Sequence, residues 1–258
     1  MAYELAWNSK QPGHFVYLID LSGSMENKIN DVIHVVKSTC DSLVNNCYGI
    51  DGPKERLSVS LYGYNHETVP LLESTPSSIK ELGLAIMKSE KSNTPFVTVK
   101  PTGQTFMKRA FEVAKKDVED WIKQQKNAGR ENIPAPIIMN ITDGFPYEGK
   151  GKSQALVFEE TLKAAQDLTS ISTSDGNVRL YNIHFDPESK EDTLKFPKLR
   201  PSERHLQFLY DASSSLSEDM FIVAKNYFKE AEIGSRCMLS NVKDLEDLAN
   251  FIDWGSTK

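Results

Sequence analysis

One short segment near the start of the chain constrains its fold more than any other. Residues 15–19, Phe-Val-Tyr-Leu-Ile, form a continuous apolar run that stops at Asp20 and a Ser-Gly-Ser turn. Such a run is typical of a buried parallel strand, because that kind of strand has apolar neighbours on both faces. Apolar residues then recur at helical spacing from about Met25 to Asn46. A strand, a tight polar turn and a helix together make half of a βαβ unit.

The rest of the chain repeats this alternation of strands and helices. Further strands are predicted over residues 57–64, 68–72, 135–141, 178–183 and 236–239. Further helices are predicted over residues 77–88, 106–125, 153–168, 202–212, 217–230 and 242–252. Pro70 indicates an edge strand, because proline cannot donate a ladder hydrogen bond. We therefore expect an α/β fold: a doubly wound, mostly parallel six-stranded sheet with one antiparallel edge strand and helices on both faces.

Composition restricts the class of protein. A chain of 258 residues with 39% hydrophobic content can bury a full core, so we predict a single domain over residues 1–258, with its core at about 14–254. The 30 basic and 36 acidic side chains give a net charge of −6 without a basic block, which argues against a nucleic-acid partner. No stretch is apolar for long enough to span a membrane.

Cysteine usage and the N-terminal residues predict a compartment. The first ten residues lack the basic and apolar regions of a secretory signal. Three cysteines are an odd number, which favours reduced thiols over a disulfide framework. We therefore expect a cytoplasmic protein.

Polar residues follow two of the predicted strands. Asp20, Ser22 and Ser24 come after the first strand, and Asp143 comes after the strand at 135–141. The carboxyl ends of parallel strands meet at one edge of a sheet, where ligands collect. A carboxylate and hydroxyls converging on one point suit a hard divalent cation. The alternative is that Asp20 and Ser22 merely cap the following helix.

These residues resemble a known metal site. Residues 20–25, Asp-Leu-Ser-Gly-Ser-Met, are similar to the Asp-x-Ser-x-Ser signature of the metal-ion-dependent adhesion site (MIDAS) of von Willebrand factor A (vWA) domains. That family has a threonine on a Gly-rich loop before a long helix, matched here by Thr105, and an aspartate after the fourth strand, matched by Asp143.

The resemblance implies a Rossmann-like vWA fold and a set of metal ligands. Ser22, Ser24 and Thr105 would ligate directly, while Asp20 and Asp143 would act directly or through water. The implied cofactor is a divalent cation, with Mg2+ preferred over Mn2+ or Ca2+. The chain lacks the acidic pair that follows the signature in integrin-type domains, which argues against a second, adjacent calcium site.

The second half of the chain resembles a bacterial branch of that family. Residues 175–184, 195–197 and 209–220 are similar to stand-alone proteins of the TerY type, found with tellurite-resistance and stress clusters. This resemblance implies a scaffold or adaptor in a bacterial signalling or stress-response system. It also implies a Ser/Thr kinase or a PP2C-type phosphatase as the associated partners.

Two classes of function compete for the predicted metal site. In a binding module, the metal keeps an open position that an Asp or Glu of a partner protein fills, with Phe145 and Tyr147 as a partner-binding rim. Phe145 could instead fold inward. The alternative is a Mg2+-dependent phosphohydrolase that uses Asp20 as its nucleophile. Such an enzyme usually has an acid/base carboxylate two residues on, where this chain has Ser22.

The sequence also lacks a Gly-x-Ser-x-Gly elbow and a P-loop. We therefore predict a binding protein without catalytic residues. His184 and Asp186 follow a predicted strand, where they either border the metal face or are ordinary strand-end polar residues.

Overall fold

The computed structural model describes residues 5–256. Within them, one main sheet contains eight strands. These are β1 Gly13–Asp20, β2 Leu57–Tyr64, β3 Thr68–Pro70, β4 Ser77–Ser78, β5 Ile137–Thr142, β6 Arg179–Phe185, β7 Leu194–Lys195 and β8 Met238–Val242. Two short hairpins, Tyr48–Gly49 with Gly52–Pro53 and Ser172–Thr173 with Gly176–Asn177, lie outside this sheet.

The strands run in the order β7-β8-β6-β5-β1-β2-β3, and β4 pairs with β2. The five central strands, β8, β6, β5, β1 and β2, are mutually parallel. The short strands β3, β4 and β7 are antiparallel to their neighbours. The predicted α/β class with a mostly parallel sheet is confirmed.

The strand count differs from the six predicted. All six predicted strands are present, including the antiparallel edge strand that contains Pro70. The two additional strands, β4 and β7, have two residues each. Two residues are too few to produce an alternating pattern, so the sequence did not indicate these strands. The sheet therefore has an antiparallel strand at both ends, whereas the sequence predicted one at a single edge.

Seven helices of the described residues flank the sheet. They are α1 Ile29–Cys47, α2 Ile79–Ser92, α3 Met107–Asn127, α4 Gln154–Thr169, α5 Arg204–Ala212, α6 Glu218–Tyr227 and α7 Leu245–Gly255. Helices α1, α2, α6 and α7 contribute to the core on one face of the sheet, and α3, α4 and α5 to the core on the other. None of these helices is both long and apolar enough to cross a membrane.

Strand β1 shows why the first apolar run is decisive. All eight of its residues are buried. Phe15, Tyr17 and Ile19 pack into one core, while Val16 and Leu18 pack into the other, because successive side chains of a strand point to opposite faces. The strand lies between β2 and β5, with Asp20 opposite Tyr64. The first polar turn therefore begins between two parallel strands at the carboxyl edge of the sheet.

Helix α1 begins four residues later than the predicted start at Met25. A 3-10 turn spans Gly23–Met25, with the Met25 amide donating to the Ser22 carbonyl at 3.1 Å. Neither this turn nor α1 has a side-chain N-cap. The alternative in which Asp20 and Ser22 cap the helix is therefore wrong.

Candidate metal centre

Three loops meet at the carboxyl edge of the sheet. The Gly23 amide donates to the Gly103 carbonyl at 3.1 Å, and the Thr102 amide donates to the Leu21 carbonyl at 2.8 Å. These bonds join the turn after β1 to the loop before α3. The Tyr147 amide donates to the Thr105 carbonyl at 3.0 Å, which joins the loop before α3 to the loop after β5.

Within this junction, the oxygens of three predicted ligands are in contact. The Ser24 hydroxyl donates to Asp143 Oδ1 at 2.8 Å, and the Ser22 and Ser24 hydroxyl oxygens lie 3.2 Å apart. Asp143 is 119 residues from Ser24 in the sequence, so the fold alone brings the two together. A hydroxyl pair beside a carboxylate is an oxygen donor set of the kind that hard cations prefer.

Asp20 lies beneath this cluster and is fully buried. Its Oδ1 accepts a hydrogen bond from the Ser22 amide at 2.8 Å, and its Oδ2 accepts one from the Thr142 hydroxyl at 2.7 Å. Burial raises the pKa of Asp20 to about 6, although these hydrogen bonds act in the opposite direction. In this arrangement Asp20 braces the turn that carries Ser22.

Thr105 stands at the end of the loop that precedes α3. The residue is buried, and its carbonyl accepts both the Tyr147 amide and the Met107 amide. Its backbone is thus fixed between the first turn of α3 and the loop after β5. The structure brings all five predicted ligands to the same three-loop junction.

Gly103 allows the loop before α3 to lie close to the hairpin that joins β2 to β3. Its φ is +77°, and a Cβ at this position would lie 1.9 Å from Cε1 of His66. His66 also packs beside Phe106, with ring centroids 5.4 Å apart. The structure places His66 at the carboxyl edge of the sheet, against the loop before α3.

A lysine that the sequence analysis did not consider lies at the same edge. Lys28 Nζ is 2.9 Å from Asp143 Oδ2 and 3.3 Å from Asp186 Oδ1. Burial lowers the pKa of this ammonium group, but the two aspartates more than compensate and raise it above its ordinary value. Its partners are far along the chain, so no local pattern could have identified the contact.

His184 binds the main-chain carbonyl of Asp143. The Asn241 amide donates to Nδ1 of His184 at 3.2 Å, which leaves Nε2 to carry the proton and donate to the Asp143 carbonyl at 3.2 Å. His184 and Asp186 therefore border the candidate site, as one of the two sequence interpretations had it.

The predicted rim residues are partly exposed. Phe145 is 42% exposed and Tyr147 is 38% exposed. Phe145 also meets the ring of Phe158 edge-on, with centroids 5.8 Å apart. Phe145 thus neither folds fully inward nor stands free in solvent.

The donor set decides which metals fit. Among the side chains that the structure describes, no group of three or more His, Cys, Asp or Glu is arranged to hold a metal ion. A soft-metal site or an all-carboxylate cage is therefore not formed by these residues. The hydroxyls of Ser22 and Ser24 beside Asp143 fit a hard divalent cation that retains some of its water.

No protein-family model matches this chain, and no curated protein matches it. Among solved structures, manganese-loaded TRAP protein from Plasmodium vivax matches with 24% identity and a TM-score of 0.43, over 68% of this chain and 57% of that chain. A von Willebrand factor type A structure from Catenulispora acidiphila matches with 12% identity and a TM-score of 0.42, over 69% and 34% of the two chains.

Mussel byssus proximal thread matrix protein 1, with a zinc-occupied MIDAS motif, matches with 17% identity and a TM-score of 0.42, over 70% and 37% of the two chains. This chain thus spans less than two thirds of the length of each of these three structures.

Proposed function

We propose that this chain is a vWA-type module that binds a divalent cation and uses it to bind an acidic residue of a partner protein. The observation that carries the proposal is the contact of the Ser24 hydroxyl with Asp143, next to the Ser22 hydroxyl. Two elements far apart in sequence contribute these oxygens to one point. The proposed ligands are Asp20, Ser22, Ser24, Thr105 and Asp143, of which the buried Asp20 would act through water, and the proposed resident ion is Mg2+.

The charge of the site favours an anionic partner group. Ser22, Ser24 and Thr105 are neutral ligands, so the protein neutralises a divalent cation less than an all-carboxylate cage would. An incoming carboxylate then completes the coordination. Phe145 and Tyr147 supply apolar contact around it and exclude water, which strengthens the electrostatic attraction.

We propose binding rather than phosphoryl hydrolysis at this site. A nucleophilic aspartate needs an accessible oxygen, whereas Asp20 is fully buried and both of its oxygens accept hydrogen bonds. Ser22 also lies where a second carboxylate would be needed for acid/base catalysis. No specific contact in the site favours the enzyme.

We propose a cytoplasmic, single-domain scaffold or adaptor. Its role in a bacterial signalling or stress-response system rests on the TerY-type resemblance alone. A Ser/Thr kinase or PP2C-type phosphatase system would supply the partner.

The first test uses Mn2+ as a paramagnetic probe. Mn2+ is titrated into the protein by calorimetry, and the loaded protein is then titrated with a blocked tripeptide, Gly-Asp-Gly. Water proton relaxation should fall as the aspartate displaces metal-bound water, and the matched Gly-Asn-Gly peptide should have no effect. Asp143→Ala should weaken Mn2+ binding by about tenfold or more while leaving the far-UV dichroism spectrum unchanged. Unchanged affinity in Asp143→Ala would remove this residue from the site.

The second test addresses the rim. Tyr147→Ala should leave Mn2+ affinity within about twofold of wild type but weaken capture of the native partner in Mg2+. Ser22→Ala should weaken both Mn2+ binding and capture of the native partner. Equal capture by wild type in Mg2+ and in EDTA would exclude a bridging metal.

A further inference from the structure

We propose that Lys28 is a tethered cation that competes with the divalent ion for Asp143 and so lowers the metal affinity of this site. The inference rests on the proposed metal site and concerns its regulation. It begins from the position of the Lys28 ammonium group, 2.9 Å from Asp143 Oδ2.

Both carboxylate oxygens of Asp143 already accept a hydrogen bond in this arrangement. Its Oδ1 accepts the Ser24 hydroxyl, and its Oδ2 accepts the Lys28 ammonium group. The Asp143 side chain is only 1% exposed, while that of Lys28 is 16% exposed. A divalent cation that uses Asp143 must therefore share this carboxylate with a positive charge already in contact with it.

The charges decide the direction of the effect. A cation bound through Asp143 lies close to the Lys28 ammonium group, and like charges at such a separation repel strongly in a partly buried site. Either metal affinity falls, or the lysine side chain moves. Both outcomes weaken binding relative to a site without the lysine.

The surroundings determine which group moves. The backbone of Asp143 is fixed through the His184 bond to its carbonyl, and His184 is in turn held by the Asn241 amide. Lys28 has a long flexible side chain and a second partner, Asp186, whose side chain is 29% exposed. Metal binding therefore transfers Lys28 from Asp143 to Asp186 and toward solvent.

The experiment is Mn2+ titration by calorimetry on the full chain at constant ionic strength. Lys28→Met should bind Mn2+ about tenfold more tightly than wild type, and Lys28→Arg, which retains the charge, should stay within about twofold of it. The matched control is Lys37→Met on helix α1, which directly follows Lys28. It removes the same charge from a surface pair with Glu90 and should leave the affinity unchanged.

The position of the lysine is measured separately, by acylation of Lys28 and Lys37 followed by mass spectrometry. Saturating Mn2+ should increase the modification of Lys28 several-fold and leave that of Lys37 unchanged. Thermal unfolding of Lys28→Met, compared with that of wild type, checks that tighter binding does not come from an altered fold.

The outcomes separate this proposal from the metal site itself. If wild type and Lys28→Met bind Mn2+ equally and Asp143→Ala still weakens binding, the site stands and the role of Lys28 is wrong. If neither wild type nor Lys28→Met binds Mn2+, both proposals fail. Binding by Lys28→Met alone would support both.

Discussion

Two features of the structure require glycine at position 103. Its backbone has φ +77°, a region that favours glycine, and the ring of His66 occupies the space where a side chain would begin. The loop that carries Thr105 can therefore approach the β2–β3 hairpin only with glycine here.

We predict that Gly103→Ala destabilises the protein by about 3 kcal/mol, since it adds a steric clash to the strain of a positive φ. Gly129→Ala is the matched control, because Gly129 has φ +75° and no atom within 4 Å of the added Cβ. Gly129→Ala should lower the free energy of unfolding by only about 1 kcal/mol. The free energies of unfolding are measured by urea denaturation.

A double variant tests the cause of this difference. His66→Ala removes the ring that an alanine at 103 would meet. In that background, Gly103→Ala should cost no more than Gly129→Ala. Equal costs of the two glycine substitutions in the wild-type background would refute the role of His66.

Lys28 shows why some residues of the site were beyond prediction from sequence. The aspartate and serines of residues 20–24 form a recognisable local signature, and Asp143 follows a strand. Lys28 belongs to no such pattern, and its contacts with Asp143 and Asp186 depend on how three loops pack. A surface lysine and an interior ion-pair lysine have the same appearance in a sequence.

At the scale of elements, helix α3 is fixed to the sheet by a buried polar contact at the opposite edge. Nε2 of His14, at the start of β1, lies 3.0 Å from Oδ2 of Asp117 on α3, and its Nδ1 lies 2.9 Å from the Ser58 hydroxyl. The His14 ring stacks on Trp121, with centroids 5.0 Å apart. Burial acts to raise the pKa of Asp117, but the hydrogen bond and charge of His14 outweigh it and lower this pKa below the ordinary value.

This shift predicts a dependence of stability on pH. A lowered pKa means that the ionised carboxylate contributes stability above the unfolded-state pKa of about 3.9. That contribution is lost as the pH falls through the still lower folded-state value. The difference in free energy of unfolding between wild type and Asp117→Asn should therefore be present above about pH 4 and shrink as the pH falls below it.

Asp120→Asn is the control for this measurement, because Asp120 is an exposed residue on the same helix. Its difference from wild type in free energy of unfolding should be small. If Asp117→Asn behaves like Asp120→Asn in urea titrations across this range, the contact does not fix the helix.

The sequence indicates the elements better than their ends. Every predicted strand and helix is present, because each has a continuous or periodic apolar pattern. The starts of helices are less well indicated. Helix α2 begins at Ile79, where Ser78 and Glu81 form a capping box, rather than at Ser77. The contacts that end an element involve single residues, and these leave no periodic signal.

For the whole molecule, the two cores on either side of the sheet carry the stability. Buried apolar residues of β1 and its neighbours fill both. The candidate metal ligands lie at one edge, outside these cores. We therefore expect the fold to be independent of the proposed ion.

We predict that EDTA leaves the far-UV dichroism spectrum and cooperative unfolding of the protein intact. Added Mn2+ should stabilise it only by mass action, about 2.7 kcal/mol at a free concentration one hundred times the dissociation constant. At the same Mn2+ concentration, Asp143→Ala should keep about half of this increment or less, because its affinity is about tenfold or more weaker. Unfolding of the wild-type protein in EDTA would mean that the ion is structural.

The bond between the Tyr147 amide and the Thr105 carbonyl has a consequence for the thermodynamics of recognition. Because one main-chain contact spans the two loops, the proposed cation ligand and the proposed aromatic rim are preorganised as one unit. Binding of a partner then loses little conformational entropy, because the two loops do not have to be ordered separately. Its association should be limited by the desolvation of its own carboxylate rather than by rearrangement of this surface.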